Sequence, residues 1–355
     1  MARHWFKVVL AAAALALPAM PAAAQQPLPL APGEAWKHKH SGISVPATLA
    51  NTPRNGGTAF AEDELDVGLS FIIGDAQESL TFYIFRNTNG GVPVWFAQAQ
   101  WSLENRRGIG DPVIALTPQA FTPPGQATAS GLKAVYETSG SGFRSTGVAL
   151  LPVGDWYVKI RASSQTRSPQ ALAAWMDAAM AEIGWPAAAG DESGAVPVAD
   201  CSVPLAFPVA AKDVPKTAGL GLAETLGIML KSEDGMKWLR PAPPATWCRD
   251  RSMGDNQQLY RPDDATDRYL IALGDNGRAV LVGSSVAWGL RPPPRDKASD
   301  HSIQFVEANE TTLYMPQDIL PSPERVGEIV NGNHVVASVS TWGANTQIRL
   351  TREEE

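Results

Sequence analysis

The 355-residue chain has only two cysteines and five histidines, so it offers few ligands for a metal centre. It has no glycine-rich phosphate loop, no complete dinucleotide-binding glycine pattern and no zinc-protease motif. After residue 24 no apolar run approaches the ~18 residues of a transmembrane helix. The formal net charge of −7 disfavours nucleic acid, whose phosphates attract clusters of Lys and Arg. The sequence therefore predicts no cofactor, no metal, no nucleic-acid partner and no integral membrane segment.

The first 24 residues have the layout of a secretory signal peptide. A basic head precedes an apolar run at 8–17, and small residues at 22–24 form a cleavage site before Gln25. The apolar run is too short to span a bilayer. We therefore expect cleavage after Ala24 and a periplasmic or secreted mature protein.

The two cysteines, Cys201 and Cys248, are expected to form a disulfide. An even pair in an oxidising compartment usually bonds, and redox motifs hold their cysteines much closer together along the chain. A catalytic thiolate or a redox pair is the alternative.

Composition divides the rest of the chain into two domains. A proline-rich leader covers 25–35, and a first domain follows over 36–186. Residues 187–199 have no apolar side chain larger than valine, which is typical of a linker. Residues 200–355 form the second domain, which is predicted to be β-rich and to hold the disulfide.

The first domain reads as α+β, an antiparallel sheet covered by helices. Alternating or continuous apolar runs predict its strands, and stripes at helical spacing predict its helices. Ser168 is a suitable N-cap for the second helix and Gly184 a suitable left-handed C-cap. The predicted strands cover 65–73, 80–85, 132–137, 146–151 and 156–162, and the predicted helices cover 93–104 and 169–183.

In the second domain, residues 274–277 (Gly-Asp-Asn-Gly) predict a hairpin turn, because Asn and Gly tolerate positive φ. Strands are expected on both sides of it, at 269–273 and 278–282. One short helix is expected near 222–230. Further strands are predicted at 302–306, 312–315, 335–339 and 347–350.

Three sequences contain residue types that carry chemistry, and each has a simpler interpretation. His38 and His40 could share a metal ion, but a solvated strand start between lysines explains them as well. Residues 299–302 (Ser-Asp-His-Ser) contain the triad residue types, yet adjacent residues of an extended chain point to opposite faces. Residues 283–287 loosely resemble a nucleophile elbow, with alanine in place of the closing glycine.

The chain has 11 tryptophans, and most lie in core patterns. Trp288 and Trp342 lie near loop signals, so we assign them to a possible binding surface, since aromatic rings stack on sugars and peptides.

Residues 36–46, the sheet that follows, residues 154–161 (Gly-Asp-Trp-Tyr-Val-Lys-Ile-Arg) and the closing helix have a familiar order. Over 36–186 this order resembles the PsbP-like antiparallel α/β/α sandwich of exported proteins. The resemblance implies a non-catalytic domain that associates with other proteins. We recognise no family in residues 200–355.

These observations favour an exported envelope protein that acts as a non-catalytic binding or structural module, with an envelope protein or a glycan as partner. The alternative is a hydrolase that acts on cell-envelope material, with its site between the two domains. Absent catalytic motifs favour the first interpretation. The oligomeric state is not predicted.

Overall fold

The structure is a computed structural model. It describes residues 25–75, 77–140, 142–187, 193–214, 246–254, 256–284, 300–344 and 347–351. Outside these residues lie the predicted signal peptide, the short helix near 222–230, most of the elbow-like sequence, Ser299 and Trp288.

The protein is mostly β, so the α+β class expected from the sequence, a PsbP-like sheet covered by helices, is wrong. Of the described residues, 45% lie in strands and 14% in helices. A helix is about 10 Å across and strands lie about 4.8 Å apart, so one helix covers about two strands of a sheet. The helices in the described part of the chain are α1 (Val92–Glu104), α2 (Pro169–Ala181) and α3 (Pro323–Asn331).

The first sheet has nine strands in the order β1-β5-β6-β7-β11-β10-β9-β8, with β4 paired to β5. All its pairings are antiparallel. A separate small hairpin precedes it, formed by β2 (Trp36–Lys37) and β3 (Ser44–Val45). The strands of the sheet are β1 (Gln26–Pro27), β4 (Thr48–Leu49), β5 (Thr52–Ala59), β6 (Asp66–Ile73), β7 (Glu78–Arg86), β8 (Asp111–Phe121), β9 (Gly131–Ser139), β10 (Ser145–Val153) and β11 (Trp156–Ser164).

The second sheet also has nine strands, and they follow chain order from β12 to β20. The short β12 runs parallel to β13, and the other pairings are antiparallel. The two domains are therefore both β-rich. The strands are β12 (Ala199–Asp200), β13 (Trp247–Gly254), β14 (Gln257–Pro262), β15 (Arg268–Leu273), β16 (Ala279–Ser284), β17 (His301–Val306), β18 (Glu310–Tyr314), β19 (Val335–Ser340) and β20 (Ile348–Leu350).

The sequence underestimated the strand content because some strands carry residues that normally break them. The edge strand β8 contains Pro112 and Pro118, and its register shifts twice along β9. An edge strand tolerates proline because one of its sides has no ladder to complete. Proline and bulges also protect an exposed edge from pairing with other chains. Strand β5 also contains residues that are uncommon in strands, namely Pro53 and the pair Gly56–Gly57, so the sequence pattern does not predict it.

Helix α2 forms as the sequence predicts, except at its end. The Ser168 side chain accepts a hydrogen bond from the Ala171 N–H at 3.2 Å, which caps the first turn. The predicted left-handed cap at Gly184 is wrong. Gly184 instead exchanges two backbone hydrogen bonds with Ser44, both 2.8 Å, so its N–H and C=O are satisfied by a strand-like bridge.

The two faces of the first sheet pack against different partners. One face lies against α2, where it buries Trp156, Val158 and Ile160 together with the apolar stripe of the helix, as predicted. The other face lies against α1. The central strand β10 is buried on both faces along almost its whole length, which is expected for a strand covered on both sides.

Helix α1 lies between the two sheets and contributes to a core that both domains share. Helix α3 packs on the face of the second sheet that points away from α1. The layers therefore run in the order α2, first sheet, α1, second sheet, α3. Of the predicted linker, Ala195 is buried in the shared core and donates to the Ala129 carbonyl. The shared core contains Trp95, Phe96 and Ala99 of α1, Tyr136, Val148 and Tyr157 of the first sheet, and Tyr260, Leu270, Ala272 and Ala279 of the second sheet.

None of the helices in the described part of the chain combines the length and apolar character needed to cross a membrane.

Candidate functional site: the interface between the sheets

The predicted hairpin turn at 274–277 forms, and it inserts into the first domain. Strands β15 and β16 pair antiparallel on either side of it. Three side chains of the first domain donate hydrogen bonds to backbone carbonyls of the turn, which fixes the turn without depending on its side chains. The bonds run from Gln98 Nε2 to Gly274 O (2.7 Å), from Lys159 Nζ to Asp275 O (2.8 Å) and from Asn89 Nδ2 to Gly277 O (2.7 Å).

Asp275 places a carboxylate between two cations of β11. Its Oδ2 lies 2.8 Å from Lys159 Nζ and 2.5 Å from the Arg161 guanidinium. Burial by itself raises the pKa of Asp275, but the two positive charges outweigh it and hold the pKa below its usual value. Lys159 is 3% exposed and also lies 4.7 Å from the centre of the Tyr83 ring. Burial lowers the pKa of Lys159, partly offset by Asp275.

A second carboxylate, Asp66 at the start of β6, faces the same turn. Its Oδ2 accepts a hydrogen bond of 2.9 Å from Asn276 Nδ2. Burial raises the pKa of Asp66 to about 7, against the opposing effects of Asn276 and the charge of Lys159. The turn thus presents the ionised carboxylate of Asp275 to Lys159 and Arg161. The amide of the next residue, Asn276, meets the carboxyl group of Asp66, whose pKa is raised.

Trp342, one of the two predicted binding residues, lies half-buried against the first domain. Its indole N–H donates to Asp63 Oδ2 at 2.7 Å. The His40 ring meets the Trp342 ring edge-on, with centroids 4.8 Å apart, and the Arg86 guanidinium lies 4.9 Å from the ring centre. Arg86 also donates to the Ala308 carbonyl of the second domain at 2.7 Å. Trp342 therefore joins the two domains as well as being partly accessible.

His38 and His40 use their ring nitrogens for protein contacts. His38 bonds to the Ser41 hydroxyl at 2.8 Å and to the Glu64 carbonyl at 2.9 Å, and His40 bonds to the Asp63 carbonyl at 2.9 Å. The interpretation of a solvated strand start is wrong for His38, which is fully buried and whose pKa burial lowers. Each of the three bonds occupies a nitrogen that a metal would need.

The described part of the triad-like sequence does not assemble into a relay. His301 is half-buried, its backbone N–H and C=O both bond to Gln317, and its Nδ1 has no hydrogen-bond partner. The Ser302 hydroxyl donates to the Gly283 carbonyl at 3.1 Å. Neighbouring side chains of β17 thus have separate partners, as an extended chain requires.

The disulfide between Cys201 and Cys248 is present, as predicted, with Cα atoms 4.8 Å apart. Beside it lies Arg261, whose Nε is 3.3 Å from Cys201 Sγ and 3.0 Å from the buried Asp250 carboxylate. Because the two sulfurs bond each other, they provide no thiolate for the catalytic or redox alternative while the bond is intact.

The protein digested without reductant should give a linked peptide that contains Cys201 and Cys248, because the two sulfurs are bonded in the folded chain. Mass spectrometry before and after reduction measures this directly. The same digest after reduction is the control and should release the two peptides. Two free thiols in protein purified without reductant would contradict the prediction.

Sequence reasoning identified the turn but missed its role. The signal was present in β11, where Lys159 and Arg161 alternate with Val158 and Ile160. Two cations on one face of a strand that is otherwise apolar require buried partners. Nothing in the sequence says that Asp275, more than a hundred residues away, supplies one.

No protein-family model matches the chain, and no curated protein matches it. A crystal structure of a protein from Bacteroides thetaiotaomicron aligns with 70% of this chain and 89% of that chain, at 9% identity and a TM-score of 0.20. That similarity is too low to support an argument about fold or function.

Proposed function

We propose that this chain is an exported protein of the cell envelope that acts as a non-catalytic binding or structural module. The observation that carries the proposal is the turn at 274–277, because the charged groups that it meets are bonded to the turn itself: Lys159 and Arg161 to Asp275, and Asp66 to Asn276. A catalytic site instead keeps its charged groups available to a substrate. The disulfide and the signal-peptide layout both suit an oxidising compartment outside the cytoplasm.

We assign the ligand to the surface formed by Trp342, Asp63 and Lys39. Trp342 is half-buried, Asp63 is partly exposed, and the Lys39 side chain beside Asp63 is 58% exposed. An aromatic ring beside the exposed ion pair of Lys39 and Asp63 offers stacking and hydrogen bonding together, which suits a glycan or a polar peptide of the envelope.

A pull-down with isolated cell-wall glycan and with envelope protein extract tests this proposal. Trp342→Ala should weaken binding about tenfold or more, because it removes the aromatic part of the surface. Trp101→Ala is the matched control, since Trp101 is another half-buried tryptophan, on α1, and should leave binding unchanged. Failure of the wild-type protein to bind either material, or equal losses in both variants, would contradict the proposal.

One observation favours the alternative, a hydrolase that acts on envelope material. Asp66 and Asp275 both lie between the domains, and their pKa values shift in opposite directions, as in the acid and base pair of a glycosidase. Against it, both carboxyl groups are bonded to the protein and covered by it. Release of soluble sugars from cell-wall glycan by the wild type, with loss of that activity in Asp66→Asn, would favour the hydrolase.

A further inference from the structure

We propose that the contact between the turn at 274–277 and the first domain is pH-sensitive, with Asp66 as the group that senses pH. The contact is tight in acid and weaker at neutral pH and above. The inference rests on the proposed exported location, because a protein outside the cytoplasm meets the pH of its surroundings.

Asp66 contacts a neutral group of the turn rather than a cation. Asp66 is 6% exposed, and its hydrogen bond across the interface comes from the neutral amide of Asn276. Among the described residues, none of the ion pairs includes Asp66, whereas Lys159 and Arg161 both pair with Asp275. An ionised Asp66 is therefore a buried charge without a direct counter-charge, which is unfavourable as long as the turn covers it.

The charged groups around Asp66 come from every element that packs near it. Those that affect its ionisation most are Lys159, Asp275 and Arg278, of which the two cations favour the charged form and Asp275 opposes it. Arg278 is partly neutralised by Glu307, 3.1 Å away. The other charged or titratable groups of these elements include Tyr157 and Arg161 on β11, Glu78, Tyr83 and Arg86 on β7, and the acidic residues Glu62, Asp63 and Glu64 before β6.

The direction follows from comparing the docked and the undocked carboxyl group. Docked, Asp66 has a pKa of about 7, and exposed to water it returns to about 3.8. The docked form therefore binds the proton more tightly, and docking weakens as the pH rises from about 4 to about 7. Outside that window the contribution is constant. From pH 5 to pH 8 these two pKa values lower the docking equilibrium constant by as much as about a hundredfold.

Hydrogen exchange followed by mass spectrometry tests the inference on the full mature chain. Peptides from β15 and β16 report opening of the turn, once rates are corrected for the intrinsic pH dependence of exchange. In the wild type their protection should fall as the pH rises from 5 to 8. In Asp66→Asn it should be nearly independent of pH, because asparagine keeps an acceptor for Asn276 and cannot ionise.

Two further variants make the result specific. Asp111→Asn, at an exposed position of β8, should keep the wild-type pH dependence. Asn276→Ala removes the hydrogen bond that favours the charged form of Asp66, so the midpoint of the pH dependence should move to higher pH. His38 and His40 near Trp342 are unchanged in every variant. A difference in pH dependence between the wild type and Asp66→Asn therefore belongs to Asp66.

Protection that does not change with pH in the wild type would overturn the inference. So would the same pH dependence in Asp66→Asn as in the wild type, because another group would then be responsible. The exchange measurement needs no envelope ligand. A failed pull-down would therefore count against the proposed function and leave the pH-sensitive contact standing.

Discussion

Trp175→Ala should lower the free energy of unfolding by roughly 3–5 kcal/mol, which is a large part of the stability of an ordinary domain. Trp175 is 5% exposed and lies in the core between α2 and the first sheet. Its indole N–H donates to the Ala50 carbonyl at 3.3 Å, and the Arg167 guanidinium covers the ring at 4.8 Å. Alanine leaves a cavity there and an unsatisfied carbonyl. Urea melts of the two proteins measure the loss.

Asp177→Ala, two positions along the same helix, is the control. Helical spacing predicts that Asp177 lies on the face of α2 opposite the apolar stripe, but its carboxylate reaches Lys133 of β9 at 2.6 Å. Asp177 is about half exposed, so the pair contributes at most about 1 kcal/mol. Small and equal losses for both variants would show that the stripe containing Trp175 is not core.

Asp275→Ala should lower the free energy of unfolding by about 3–5 kcal/mol, because it leaves two cations buried without their counter-charge. Lys159 and Arg161 both donate to the lost carboxylate, and their side chains are 4% and 16% exposed. The turn is held at the same time by backbone carbonyls, so we expect it to stay folded and to dock more weakly. Urea melts monitored by tryptophan fluorescence should show an earlier transition.

Asp267→Ala separates this effect from the loss of any carboxylate in the second domain. Asp267 pairs with Arg268 at 3.2 Å in an exposed position just before β15. Exposed pairs of this kind contribute at most about 1 kcal/mol. If Asp275→Ala destabilises the protein no more than Asp267→Ala does, the buried cluster does not hold the two domains together.

The sequence predicts what local patterns determine. Helix α2 begins where Ser168 and Pro169 place it, since capping depends on a few neighbouring residues. The turn at 274–277 is equally local, because Gly274 and Gly277 adopt the positive φ that the sequence suggests. The Cys201–Cys248 bond follows from compartment and number alone.

The rest depends on tertiary contacts that no local pattern contains. Gly184 has the sequence of a helix cap, but its pairing with Ser44 overrides that preference. Strand β8 violates the usual strand composition, because its place at the edge relaxes the rules for proline. For the candidate site, Trp342 could be singled out as a tryptophan near a loop. Its contacts with His40 and Arg86 come from the other domain and depend on how the two sheets are placed.

The position of α1 between the sheets has a consequence for how the protein assembles in time. Translation proceeds from the amino terminus, so the first sheet and α1 emerge before the second sheet exists. Until β15 and β16 arrive, the side of α1 that they will cover has only water against it, which favours aggregation or binding by a chaperone. The first domain is therefore most vulnerable before the second sheet has been synthesised, and β15 and β16 complete a core that began nearly two hundred residues earlier.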